Sequence, residues 1–258
     1  MKKAQWQLHE GENTELIRSL PPASIDTLIT DPPYSSGGLH VASRQRSTGA
    51  KYEQSGQPLH RPDFAGDHLD QRSWTSWIAG LLRSCRPLLK KEGGGHAMLF
   101  TDWRQLPSLT DAVQHAGYIW RGVVAWDKGD GARAAGRGRF RHQCEYLVWA
   151  SAWPLPKSED ATFGCLPGAY RFPVLQRDKH HQAGKPTDLM RQLVQVCPPG
   201  GTVLDLFAGS ATTGVASLLE GRSFIGAEVV PAYAAIARQR LAEAERMAGG
   251  GPPLRAAA

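Results

Sequence analysis

The sequence predicts an α/β protein built on a mostly parallel central sheet with helices on both faces. Three observations carry this reading. Short apolar runs alternate along the chain with stretches of helical periodicity, the pattern of strand–helix–strand units. Two of the apolar runs stop abruptly, at Asp31-Pro32-Pro33-Tyr34 and at Ala208-Gly209-Ser210, and the carboxyl ends of strands are where open α/β sheets bind ligands. The chain has 258 residues, 41% hydrophobic and 21% charged, enough for one such domain with a large core.

Trp6 to His9 reads as a first short strand and Thr14 to Leu20 as the helix after it, stopped by Pro21-Pro22. Ile25 to Thr30 is a buried strand. The prolines after Asp31 fix φ and donate no backbone hydrogen bond, so the strand cannot continue. Asp31 therefore stands at a strand's carboxyl end, with the Tyr34 ring on a stiff support. Ser35 to Gln71 has no periodicity. A loop of that length inside a compact domain is functional or disordered as a rule, and this one starts where it can close over whatever Tyr34 contacts. Trp74 to Leu89 has helical spacing, His96 to Phe100 is a strand and Leu106 to His115 a helix. Tyr118 to Trp126 and Glu145 to Ala150 read as antiparallel neighbours flanking a basic glycine-rich loop. Ser151 to His181 is irregular. Pro186 to Cys197 is helical and ends at Pro198-Pro199-Gly200-Gly201. Thr202 to Phe207 and Ser223 to Glu228 are strands joined by a helix from Ala211 to Leu219, and Tyr233 to Met247 is the last helix. One domain over residues 1–248 and a loose tail over 249–258 are expected.

No apolar run approaches the length that spans a bilayer, and the basic N-terminus lacks the apolar core of a signal peptide. A cytoplasmic protein is expected, associated with the nucleoid of a prokaryotic or phage-infected cell. Cys85, Cys144, Cys165 and Cys197 show no metal or redox spacing; reduced, mostly buried thiols and no metal are expected. The formal net charge is +6 and the isoelectric point about 9.3, which favours polyanionic partners. Lys128, Arg133, Arg137, Arg139 and Arg141 lie among glycines in the loop 129–142 and its edge, with Asp130 as the one acid. Arginine forks on flexible backbone suit phosphates.

Asp31 and nearby carbonyls can accept hydrogen bonds from a planar amine while Tyr34 stacks on the ring that carries it. Far downstream, the strand ending at Asp205 runs into Leu206-Phe207-Ala208-Gly209-Ser210, small residues that let a ligand approach the backbone. The next strand ends at Glu228, placed to accept from ribose hydroxyls. This is a nucleoside-binding layout without the G-x-G-x-x-G dinucleotide pattern.

These residues resemble the S-adenosylmethionine-dependent amino-methyltransferases of DNA. The order, Asp-Pro-Pro-Tyr first and Phe-Ala-Gly second, resembles the circularly permuted β-class arrangement on a Rossmann-like methyltransferase fold. The likeness runs from about Trp6 to Leu241. Gly11-Glu12-Asn13 resembles the family's Gly-Asp turn, Leu88-Leu89-Lys90 to Gly94 its Leu-Lys-x-Gly-Gly turn, and Trp126-Asp127-Lys128 its Trp-x-Lys. His181 to Pro186 is similar to its His-Pro-x-x-Lys-Pro, with Gln182 in place of the first proline.

The resemblance implies methyl transfer from S-adenosylmethionine to an exocyclic amine of a flipped base in double-stranded DNA, with S-adenosylhomocysteine as the product. Asp31, Pro32, Pro33 and Tyr34 are the expected catalytic residues. Glu12, Asp31, Lys185, Asp205, Phe207, Ala208, Gly209, Ser210, Thr213 and Glu228 are expected to bind the cofactor: Glu228 at the ribose, Asp205 near the charged amine, Lys185 near the carboxylate and Glu12 at the adenine. Arg44, Arg46, Lys51, Lys128, Arg133, Arg137, Arg139 and Arg141 are expected against DNA, and 152–179 as a short target-recognition segment. Adenine N6 is the expected target, with cytosine N4 as the alternative. Methylation of RNA or of a protein glutamine, or a non-catalytic nucleic-acid-binding role, are the other readings. β-class relatives are often dimers, so a homodimer is a further possibility.

Overall fold

The computed structural model describes residues 4–34, 69–129, 137–173 and 184–249. The expectations for Arg44, Arg46, Lys51, Arg133, His181 and the tail lie outside these residues.

Among the described residues eight strands form one sheet: β1 (Trp6–Glu10), β2 (Thr27–Thr30), β3 (His96–Thr101), β4 (Ile119–Asp127), β5 (Cys144–Ser151), β6 (Ala169–Arg171), β7 (Thr202–Asp205) and β8 (Ser223–Glu228). Their spatial order is β1-β8-β7-β2-β3-β5-β4-β6. Every pairing is parallel except those of β5, which runs antiparallel to β3 and β4. Among the described residues the principal helices are α1 (Asn13–Ser19), α2 (Gln71–Cys85), α3 (Leu106–His115), α4 (Thr187–Leu193), α5 (Thr212–Leu219) and α6 (Pro231–Ala248).

The alternation of side chains along each strand assigns the two layers. Leu28 of β2 and Leu99 of β3 face one side, where they pack with Leu16 of α1, Trp74 and Ile78 of α2 and Leu109 of α3. Ile29 and Met98, one residue out of phase, face the other side with Leu189 and Met190 of α4 and Ala216 of α5. Both faces are therefore covered, which is why the central strands read as continuous apolar runs rather than alternating ones. The expected α/β architecture is the observed one, and β4 and β5 are the expected antiparallel pair. Gly214 lets α5 sit directly on the last layer: a Cβ there would come within 2.6 Å of Leu241 and 2.7 Å of Phe224.

Three local differences have physical causes. The helix after Trp74 begins earlier, because Asp70 caps it by accepting from the N–H groups of Arg72 and Ser73. It ends at Cys85, where Pro87 turns the chain into a 3₁₀ turn, Arg86–Leu88. The irregular stretch after Ser151 contains β6, whose three residues are too short for a periodic signal. Cys85 and Cys197 are buried, and burial pushes both thiols up to about 12, but Cys144 is only half-buried and Cys165 is exposed.

Candidate active site

Strands β2 and β7 are parallel neighbours, so the two turns that end them lie at one edge of the sheet. A shared hydrogen-bond network joins them. Thr30, the last residue of β2, donates its hydroxyl to Asp205 Oδ1 at 2.7 Å and accepts from the Leu206 N–H at 3.1 Å. Thr213 of α5 donates to Asp205 Oδ2 at 2.7 Å, and the Phe207 N–H donates to Oδ1 at 3.1 Å. Asp205 is 3% exposed. Burial pushes its carboxyl up to about 6, although these three bonds pull the other way.

The Asp31–Tyr34 corner is fixed from both sides. The Pro33 carbonyl accepts from Trp74 Nε1 at 2.7 Å, and the Tyr34 carbonyl from Gln105 Nε2 at 2.7 Å. Tyr34 donates its hydroxyl to Asp31 Oδ1, and Lys185 donates to Asp31 Oδ2. Lys185 Nζ also lies 3.4 Å from Glu145 Oε2 and 4.9 Å from the centre of the Phe100 ring. Glu145 Oε1 accepts from Lys128 at 3.0 Å. Burial holds the Asp31 carboxyl above its ordinary value against the pull of Lys185. Glu145 goes the other way: burial opposes its charge, but Lys185 and Lys128 together bring it below the ordinary range. Lys185, disfavoured by burial, is held above its usual value by Asp31 and Glu145.

Next to β7, strand β8 brings Glu228 to the same edge, 8% exposed. Its Oε2 accepts from the Gly209 N–H and its Oε1 from the Val230 N–H, each at 2.8 Å. Gly209 has φ +54°, a left-handed conformation that glycine adopts without cost. Ala211 has φ +59° without that freedom, a strain of about 1–2 kcal/mol at the entry to α5. Gly226, paired with Asp205, leaves room for the turn, since a Cβ there would lie 3.1 Å from Ala208 Cβ. Phe207 meets Trp77 edge-on, with centroids 5.8 Å apart. Glu12 is exposed just after β1, and the preceding Gly11 donates its N–H to the Glu228 carbonyl at 3.0 Å.

A family model for DNA methylases of the N6/N4 type matches residues 25–163 and 153–239. The chain belongs to this family. The match spans both corners of the site. The methylase is 28% identical over 238 residues to YubD of Escherichia coli (strain K12), a protein named as a candidate methylase; the alignment covers 92% of this chain and 90% of that one. Its fold is similar to that of the M1.HpyAVI–SAM complex, with a TM-score of 0.63, 22% identity and coverage of 92% and 99% of the two chains. It is also similar to the cytosine-N4-specific PvuII DNA methyltransferase, with a TM-score of 0.67, 15% identity and coverage of 96% and 93%.

Within the methylase, Asp31 to Tyr34, Lys185, Asp205, Phe207 to Gly209 and Glu228 gather along one edge, with Glu12 beside them. Three expected residues are otherwise engaged. Lys185 is committed to two carboxylates. Thr213 supports Asp205. Ser210 is buried and accepts from Arg240 of α6, at 2.6 Å on its carbonyl and 3.0 Å on its hydroxyl. Of the basic loop, Arg137, Arg139 and Arg141 are exposed, whereas Lys128 is half-buried, paired with Glu145 and 5.8 Å from the Trp126 ring centre. Between the arginines Phe140 is 93% exposed. Among the described residues no group of three His, Cys, Asp or Glu is placed to hold a metal, and no helix is long and apolar enough to cross a membrane. Sequence reading missed Thr30, Trp74, Gln105 and above all Glu145. A carboxylate opening the otherwise apolar strand Glu145 to Ala150 was its one visible signal.

Proposed function

We propose that this methylase transfers a methyl group from S-adenosylmethionine to the N6 amine of adenine in double-stranded DNA, acting on a base flipped out of the duplex. The observation that carries this reading is the Thr30–Asp205 stitch, which joins the Asp-Pro-Pro-Tyr corner to the Phe-Ala-Gly turn at one edge of the sheet. Three carboxyls, the buried Asp205 and Glu228 and the half-buried Asp31, are held above their ordinary values by desolvation. A ligand with two positive centres and a ribose diol fits that set of acceptors. Bound S-adenosylmethionine supplies an electrophilic methyl on a sulfonium sulfur and leaves as S-adenosylhomocysteine.

The residues then have separate tasks. Glu228 accepts from the ribose hydroxyls and Glu12 from the adenine amine of the cofactor. Phe207, Ala208 and Gly209 line the methionine part, with Asp205 supplying charge behind them. Asp31 and the Pro32 carbonyl accept the two hydrogens of the target amine, turning the nitrogen lone pair toward the methyl carbon. That lone pair would take the methyl carbon from the bound donor, and Asp31 would take the proton that the nitrogen loses. Tyr34 stacks on the base, whose extrusion costs a few kcal/mol of unstacking.

Adenine is favoured because Asp-Pro-Pro-Tyr tends to accompany adenine in the family the chain resembles. Cytosine N4 is the second reading, supported by the likeness to the PvuII enzyme. Tritiated methyl transfer to duplex DNA, RNA and protein, followed by nucleoside analysis, tests both. N6-methyladenine in duplex DNA is the expected product; label confined to RNA or protein sinks the proposal, and N4-methylcytosine selects the second reading.

Arg137, Arg139 and Arg141 are proposed to contact phosphates. Replacing all three with Ala should lower the slope of log K against log salt by about 0.9 for each phosphate that is no longer neutralised. An unchanged slope in a filter-binding titration would remove this loop from the DNA interface.

A further inference from the structure

We propose that Glu145 is a positioning residue that receives the Lys185 ammonium from Asp31 when the target amine arrives. This rests on the proposed amine methylation at Asp31. In the substrate-free site both Asp31 oxygens already carry donors, Tyr34 on Oδ1 and Lys185 on Oδ2. An incoming amine must share Asp31 with the stronger donor or displace it. Lys185 is 9% exposed, so water does not replace Asp31 as the acceptor of its ammonium, and an unpaired buried ammonium is costly.

Glu145 offers the alternative. Its Oε2 is buried, has no hydrogen bond, and lies 3.4 Å from Lys185 Nζ. A shift of roughly 0.5 Å at the end of a flexible side chain turns that contact into a charge-assisted hydrogen bond. Glu145 Oε1 stays fixed by Lys128 at 3.0 Å, so the acceptor does not move with its load. Two carboxylates and two ammonium groups make up the chain Asp31–Lys185–Glu145–Lys128, and sliding one cation between the two acids leaves the buried charge balanced. The four residues come from four places: the end of β2, the segment before α4, strand β5 and the residue after β4.

The groups facing Asp31 are Lys185, Glu145 and Tyr34, with Asp205 nearby across β7; Asp102, after β3, acts on Tyr34. Of these, the Glu145 charge raises the Asp31 carboxyl. Glu145→Gln removes that charge and leaves Lys185 with a single carboxylate partner. Two effects follow in opposite senses. Lys185 stays on Asp31 and blocks the amine, so kcat falls by roughly 100-fold. Asp31 ionises at lower pH, so the acidic limb of the kcat profile moves to lower pH.

The test is steady-state methyl transfer to duplex DNA by wild type and Glu145→Gln from pH 5 to 9, with cofactor affinity measured by calorimetry. The expected result is reduced kcat, a displaced acidic limb and cofactor affinity within about twofold of wild type. Glu145→Asp, which keeps the charge but shortens the reach, should be intermediate in kcat with its acidic limb unmoved, and replaces Glu145→Gln if that variant does not fold. Turnover at the wild-type rate in Glu145→Gln, or a lower rate with an unmoved acidic limb, overturns the proposal; so does wild-type turnover in Glu145→Asp where that variant stands in. Absence of transfer by the wild type itself would sink the amine-methylation reading instead, so the two failures are distinct.

Discussion

Asp31→Ala is expected to lower methyl transfer by roughly 10³-fold while cofactor affinity stays within about tenfold of wild type. The asymmetry follows from geometry. Asp31 is the polar group that the Pro32-Pro33 corner presents at the end of β2, and the corner itself is held through carbonyls by Trp74 and Gln105. Removing the carboxylate leaves those bonds in place. Lys185 keeps an anionic neighbour, since Glu145 lies 3.4 Å away, so the variant does not strand a buried ammonium. The proposed cofactor edge comprises Gly209, Glu228 and Asp205, whose hydrogen bonds do not pass through Asp31. What disappears is the acceptor proposed to orient the amine and take its proton. Single-turnover transfer of a tritiated methyl group, paired with calorimetric titration of S-adenosylmethionine, measures the two quantities separately. Near-normal single-turnover rates in the variant would remove Asp31 from the mechanism.

Sequence alone revealed the parts of this site that depend on local chain chemistry. A Pro-Pro pair ends a strand wherever it occurs, so Asp31 could be placed at a strand tip without knowing the neighbours of that strand. The same holds for Gly209, whose left-handed conformation is a local demand, and for Glu228 at the end of a six-residue strand. What sequence did not show are the bonds that cross between distant segments. Nothing near Thr30 indicates that its hydroxyl reaches Asp205, because that bond exists only once β2 and β7 become neighbours. Lys185 illustrates the same limit. Its presence in a Lys-Pro turn was legible, but its partners come from β2 and β5, and charge pairing in the folded state committed it to Asp31 and Glu145. Lys128 read as one more cation of a basic loop, whereas the antiparallel pairing of β4 with β5 sets it against Glu145.

Asp205→Asn is expected to make the protein more stable at pH 7.5 and weaker at binding cofactor, and the two effects have one origin. Burial lifts the Asp205 carboxyl from its ordinary 3.8 to about 6. A raised folded value means the native state holds the proton more tightly than the unfolded chain. The stabilisation that comes with it is complete below about pH 3.8 and is lost as pH rises through about 6. At pH 7.5 the ionised, 3%-exposed acid has therefore forfeited on the order of 3 kcal/mol relative to its protonated form. Asparagine cannot ionise. Its amide can turn toward Thr213, whose hydroxyl accepts as well as donates, while its carbonyl keeps the bonds from Thr30 and Phe207. The Tm advantage of the variant should shrink as pH is lowered toward 4. A costly buried charge is sustained where it meets a cation, and the proposed ligand carries an ammonium and a sulfonium. Cofactor affinity in the wild type should then fall by up to about tenfold per unit as pH drops below 6. In Asp205→Asn it should be weaker at pH 7.5, and the difference between the two proteins should narrow toward pH 5; Asp31 and Glu228, present in both, cancel in that comparison. Thermal melts and calorimetric titrations between pH 5 and 8 measure both trends. A variant less stable than wild type at pH 7.5, or a gap in cofactor affinity that does not change with pH, would mean that the Asp205 charge serves the hydrogen-bond stitch between β2 and β7 and not the ligand.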